Sequence, residues 1–157
     1  MALRPSPWVA ALLLAAAACG TKGEEGAQRS HVERYEDTGA VRAEFQQRFN
    51  GKDWVHDGPA RFYDEQGRLT HSGSYRAGLE EGLWQEFAPD GSLGEGPYKD
   101  GSRSGTWTWY HPAREGARQP AERGRYEAGL RTGAWERWDS EGVPLEPTQW
   151  SAGEQLP

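Results

Sequence analysis

Few residues in this chain stand where they could do covalent chemistry. His31, His56, His71 and His111 are isolated, and none has a partner at a ligand or catalytic spacing such as His-x-x-x-His. Ser72, Ser74, Ser102 and Ser104 flank turn signals, where serine hydrogen-bonds its own backbone. Glu80, Glu81, Asp90, Asp100 and Glu141 fall in predicted loops, where a solvated turn is a far commoner explanation than an acid/base pair. No Gly-Lys-Ser/Thr follows any of the glycines, so no phosphate-binding loop is read. These patterns predict a non-enzyme with no metal and no cofactor. Two features remain that could act on other molecules. One is the single thiol, Cys19; the other is a row of aromatic residues, Trp84, Phe87, Trp107, Trp109, Tyr110, Trp135 and Trp138, whose rings could bind by stacking and burial.

The aromatics belong to a phrase written three times: Gly-x-Tyr-x-x-Gly-x-x-x-Gly-x-Trp-x-x-aromatic. Its copies run Gly73 to Phe87, Gly96 to Tyr110 and Gly124 to Trp138, with Tyr75, Tyr98 and Tyr126 at the tyrosine position and Trp84, Trp107 and Trp135 at the tryptophan. Successive tryptophans are 23 and then 28 residues apart, so the second interval carries an insertion of five. A period of this size marks a repeat architecture. Decayed copies flank it: Gly58-Pro-Ala60-Arg-Phe62-Tyr63 upstream and Trp150-Ser-Ala-Gly153 downstream, as expected of end units with one neighbour. Gly67, Gly91 and Gly142 follow the aromatic position, and Gly78, Gly101 and Gly129 follow the tyrosine. Two turns per unit leave strands of about five residues in an antiparallel meander. Trp84, Trp107, Trp135 and the three tyrosines are expected to form the core, with Leu69, Leu93 and Leu145 filling gaps between them.

This phrase resembles the MORN repeat, in the variant form of bacterial YwqK-type antitoxin-like proteins. The resemblance covers about Val41 to Gly153 and implies an all-β, elongated, single-layer sheet of hairpin repeats. Its departures are Ala60 in the tryptophan position, Arg114 in place of a turn glycine, and the insertion containing Glu115 to Glu122, where a break in the sheet is expected if there is one.

At the N-terminus, Arg4 precedes the apolar stretch Trp8 to Ala18, a signal-peptide pattern too short for a mature membrane helix, which needs about 20 residues. Ala16-Ala17-Ala18-Cys19 resembles a lipobox, which implies cleavage before Cys19, acylation of its thiol and a lipid anchor in the bacterial envelope. Gly20 in place of Asp favours the outer membrane by the sorting rule of enteric bacteria. As the lone cysteine, Cys19 has no disulfide partner within the chain. Residues 1–18 are thus read as signal peptide and 19–40 as lipidated cysteine and flexible tether, its coil spanning about 25 Å. Residues 41–153 form the repeat domain, with units near 41–69, 73–93, 96–122 and 124–145, a partial one at 149–153, and a tail at 154–157. Alternation from Val41 to Phe49 argues for a strand, and Asn50-Gly51 for a hairpin turn. Trp54 is read in a longer connection that could fold over the open edge.

Removing residues 1–18 takes Arg4 from the 18 basic residues and none of the 24 acidic ones, so the net charge moves from −6 to −7. That balance, without a basic patch, argues against nucleic acid and against anionic lipid headgroups. Three functions fit: an envelope-displayed scaffold for a protein partner, a binder of cell-wall glycan or choline, and an antitoxin or immunity protein against an envelope-acting toxin. The second is prompted by Gly105-Thr-Trp107-Thr-Trp109-Tyr110, which resembles a step of choline- and glucan-binding wall repeats. The surplus Trp109 and the insertion adjoin, so Trp109, Tyr110, Arg114 and Arg118 are the expected edge of the recognition surface.

Overall fold

Each copy of the phrase supplies two short strands, because its glycine turns recur too often for anything longer. The computed structural model describes residues 24–114 and 116–157. Cys19 and the signal segment lie outside them, as does Glu115 of the insertion. In order, the strands are β1 (Gln28–Arg34), β2 (Val41–Phe49), β3 (Trp54–Tyr63) and β4 (Leu69–Arg76). These are followed by β5 (Leu79–Phe87), β6 (Leu93–Lys99), β7 (Ser102–Arg103) and β8 (Gly105–Tyr110). The last four are β9 (Pro120–Glu127), β10 (Leu130–Trp138), β11 (Pro144–Ser151) and β12 (Glu154–Gln155). All belong to one antiparallel, 12-stranded meander in which sequence neighbours pair. β7 and β8 are one interrupted strand: both pair with β6, on either side of a break at Ser104.

The turns explain the register. Ala77-Gly78, Asp100-Gly101, Ala128-Gly129 and Ala152-Gly153 all have positive φ at both residues, near 50° and then 78–89°. Two left-handed residues in a two-residue loop match the twist of the flanking strands. Each of these glycines also donates its N–H to the preceding unit: Gly78 to the His56 carbonyl (2.7 Å), Gly101 to Glu80 (3.1 Å), Gly129 to Arg103 (2.9 Å) and Gly153 to Arg131 (3.0 Å). One hydrogen bond per turn therefore stitches unit to unit. At the opposite edge, Asp64 and Asp139 cap wider turns, each Oδ1 accepting two backbone N–H groups.

Several expectations are corrected. The tether does not reach residue 40, because Gln28–Arg34 pairs with β2 from Gln28↔Arg48 onward. An edge strand needs only backbone partners on one side, so β1 shows almost no apolar pattern. Its contributions to packing are His31 against Phe45 and Arg29 over the Trp54 ring. Trp54 opens β3 opposite Phe49 and is not in a connection, and the Asn50-Gly51 turn is longer than two residues, closed by Asn50 N–H to the Asp53 carbonyl. The sheet continues past the insertion, since β8 pairs with β9 along its length. Glu80 and Glu81 lie in β5, not in a loop. Residues 154–155 are β12 and not tail, and Leu145 is exposed while Leu93 is buried.

Strand alternation separates two unlike faces. One carries a ladder of rings, His31, Phe45, His56, Tyr75, Trp84, Tyr98, Trp107, Tyr126 and Trp135, with successive centroids 4.2–5.9 Å apart. Trp107 and Trp135 are fully buried there, although the sheet has no second layer. The other face carries residues paired directly across the strands: Glu44, Arg61, Ser72, Gln85, Glu95, Thr108, Arg123 and Glu136.

Candidate functional site

Each tryptophan of the ladder lies flat on a glycine of the strand before it. A Cβ added at Gly73, Gly96 or Gly124 would stand 2.2–2.4 Å from the ring of Trp84, Trp107 or Trp135. Tyrosines stand on either side of Trp84 and Trp107, and Tyr126 on one side of Trp135, edge-on or tilted, an arrangement aromatic pairs favour. Trp84 and Trp107 donate their indole N–H to the carbonyls of Ser74 (3.1 Å) and Pro97 (3.0 Å). The Trp135 N–H is buried without a partner.

The solvent side of the ladder is covered by charged side chains that sequence reading missed. Directly across the strands, Tyr75 faces Glu80, Tyr98 faces Arg103 and Tyr126 faces Arg131. The Arg103 guanidinium lies 5.1 Å from the Trp107 ring centre and pairs with Glu86, its Nε donating at 3.0 Å. Arg131 lies 4.0 Å from Trp135 and 4.9 Å from Trp150, and pairs with Glu122 at 2.8 Å. A guanidinium can lie on an indole and still meet a carboxylate, so these two pairs act as lids over the core. The signal for them was present: the middle residue of Gly-x-x-x-Gly is charged in all three units.

The proposed recognition residues do not share a face. Trp109 lies on the aromatic face, over Gly94 and stacked on Trp107 at 5.7 Å, with its indole N–H buried and unpartnered. Tyr110 points to the other face and donates its hydroxyl to Glu95 at 2.9 Å. Burial, then that carboxylate, raises the Tyr110 pKa. Arg118 reaches back to the Gly91 carbonyl (3.3 Å) and over the Phe87 ring, while Arg114 is exposed beside Glu141. Arg114 and Ala117 exchange two backbone hydrogen bonds at the start of the insertion, which runs on into β9.

Among the described residues, three hollows adjoin the ladder, one of about 420 Å³ at its N-terminal end beside His31 and Phe45. A groove of about 620 Å³ near the insertion is lined by Trp109, His111, Glu122, Arg131, Arg137 and Leu145, among others. A smaller one of about 300 Å³, in the first unit, is lined by Phe62, His71, Tyr75, Glu80, Trp84 and Tyr98. Among the described residues, no three His, Cys, Asp or Glu side chains converge as a metal site would require. The turn glycines Gly67, Gly78, Gly91, Gly101, Gly129 and Gly142 all have positive φ and contribute geometry rather than chemistry. Compared with known proteins, the chain matches no family model, and no curated protein is similar to it.

Proposed function

We propose that this protein is a non-enzymatic scaffold of the MORN-repeat type, held at the bacterial envelope by a lipid on Cys19, with a protein partner bound across its polar face. The observation that supports this reading is the unbroken cross-strand row from Glu44 to Glu136, on a face with no second layer. On the aromatic face, rings and arginine lids close over Trp107 and Trp135. The polar face instead presents side chains in register over eight strands, donors and acceptors mixed, with Gln85 bonding Glu95 and Arg123 bonding Glu136 within the row. A row of that kind suits an extended, hydrogen-bonded interface better than a small ligand.

Crosslinking in envelope extracts tests it, comparing the mature protein with a Ser72→Arg, Thr108→Glu double variant of matching circular dichroism. A partner captured by the parent and lost in the variant is expected. Capture that survives the variant, or no capture by the parent, sinks the reading. The groove beside Trp109 favours one second reading, a wall glycan resting on that ring with hydrogen bonds to Arg137 and Glu122. Retention on purified wall material that depends on Trp109 would select it.

A further inference from the structure

The three units differ in what covers their tryptophan. In the second and third, a guanidinium of the chain itself lies over the ring, from Arg103 and Arg131. At the same place in the first unit stands Glu80, opposite Tyr75 as the arginines are opposite Tyr98 and Tyr126. The surroundings change in step. Glu86 and Glu122, which neutralise the arginines, belong to a cross-strand row that also contains Phe62 and His71. In the first unit those two residues occupy the flanks, so the ion pair is replaced by more rings. The result is the hollow of about 300 Å³ walled by Phe62, His71, Tyr75, Trp84 and Tyr98, with Glu80 at its rim.

That hollow keeps the aromatic walls but has no cation, and its carboxylate, Glu80, stands where the other units hold their arginine. Among the described residues, no Lys or Arg lies over Phe62, Tyr75, Trp84 or Tyr98, and Glu80 makes no ion pair. One Glu80 oxygen accepts the Tyr75 hydroxyl at 3.2 Å, which leaves its charge uncompensated. An aromatic enclosure with a carboxylate at its edge binds organic cations, and a planar, weakly hydrated guanidinium is the form the other two units accommodate. We infer that the first unit is a docking site for an arginine side chain, which completes from outside the lid that Arg103 and Arg131 form from within. The site lies on the aromatic face, so its arginine comes from a protein contact separate from the polar-face interface, and the cation site does not rest on the scaffold reading.

The test is a titration of the full chain with N-acetyl-arginine amide, following the Trp84 indole N–H by NMR. Its neutral citrulline counterpart and tetramethylammonium are titrated in parallel. A saturable Trp84 shift with the arginine amide, absent with citrulline and at least roughly tenfold weaker in Glu80→Gln, is expected. In Glu80→Arg the chain supplies its own guanidinium, so binding should vanish while the melting temperature holds or rises. An absent shift, an equal response to citrulline, unchanged affinity in Glu80→Gln, or tighter binding of tetramethylammonium would each overturn the assignment. Failure here with intact partner capture on the polar face would remove the arginine site and leave the scaffold reading standing.

Discussion

The indole of Trp84 lies so close to the backbone of Gly73 that a Cβ built there would stand 2.2 Å from the ring. Gly73 has no positive φ, so its glycine is required by space rather than by conformation. In an open strand, alanine would be favoured over glycine by about 0.5–1 kcal/mol. Here the clash must outweigh that gain, and overpacking a filled site costs about 1–3 kcal/mol. Gly73→Ala and Gly124→Ala should therefore both lower the urea midpoint, while Ser74→Ala, on the opposite face, should stay within about 0.5 kcal/mol of the parent. A Gly73→Ala variant as stable as the parent would mean that Trp84 is free to move away.

The same contact shows what was legible in the sequence. Glycine and tryptophan recur in phase, so period, turns and sheet could be read from Gly73 to Trp138 without coordinates. Which glycine serves a turn and which lies under a ring could not, because the pairing Gly73–Trp84 depends on register. β1 was missed because an edge strand leaves no apolar pattern, and Arg29 and His31 read as tether. His56 was dismissed for want of a catalytic neighbour, yet it stands between Phe45 and Tyr75 in the ladder. Arg103 and Arg131 drew no reading in the sequence, since a lid over an aromatic core shows only when the strands are paired. Trp109, Tyr110, Arg114 and Arg118 are grouped by the sequence because the surplus Trp109 adjoins the insertion, although adjacent strand residues face opposite ways.

Alkaline pH should weaken the fold through the ladder. The hydroxyls of Tyr75 and Tyr98 are pushed up to about 12, first by burial and then by the Glu80 and Glu86 carboxylates they bond. Unfolded tyrosine titrates near 10. The folded state thus holds these protons more tightly, so the stability they confer is complete below pH 10 and lost as pH rises towards 12. Denaturation midpoints should fall across that window, and a Tyr75→Phe, Tyr98→Phe double variant should flatten the fall. An unchanged slope in the double variant would place the alkaline sensitivity elsewhere.

Lipidation of Cys19 is expected to decide where the protein resides. Growth with a clickable fatty acid should label the parent and leave Cys19→Ser unlabelled and released from the membrane fraction. Label retained by Cys19→Ser would remove the anchor from the proposed function.

The insertion should be dispensable for folding and is the sharper test of where recognition lies. The stitch from Gly129 to the Arg103 carbonyl, at 2.9 Å, falls within the 2.7–3.1 Å spanned by its counterparts, so the five extra residues leave the repeat pitch undisturbed. They emerge at the other edge, where Pro112 approaches Gly91 and Gln119 approaches Gly142 across the neighbouring turns. Deleting residues 113–117 restores the 23-residue interval and, among the described residues, removes only exposed contacts, chiefly Arg114 to Glu141. Stability should change by less than about 1 kcal/mol, the range for surface changes away from a packed core. If the polar row is the interface, partner capture should also survive the deletion. Capture lost in the deletion variant but kept in Thr108→Glu would move the interface to the turn edge, beside Arg118 and the groove at Trp109.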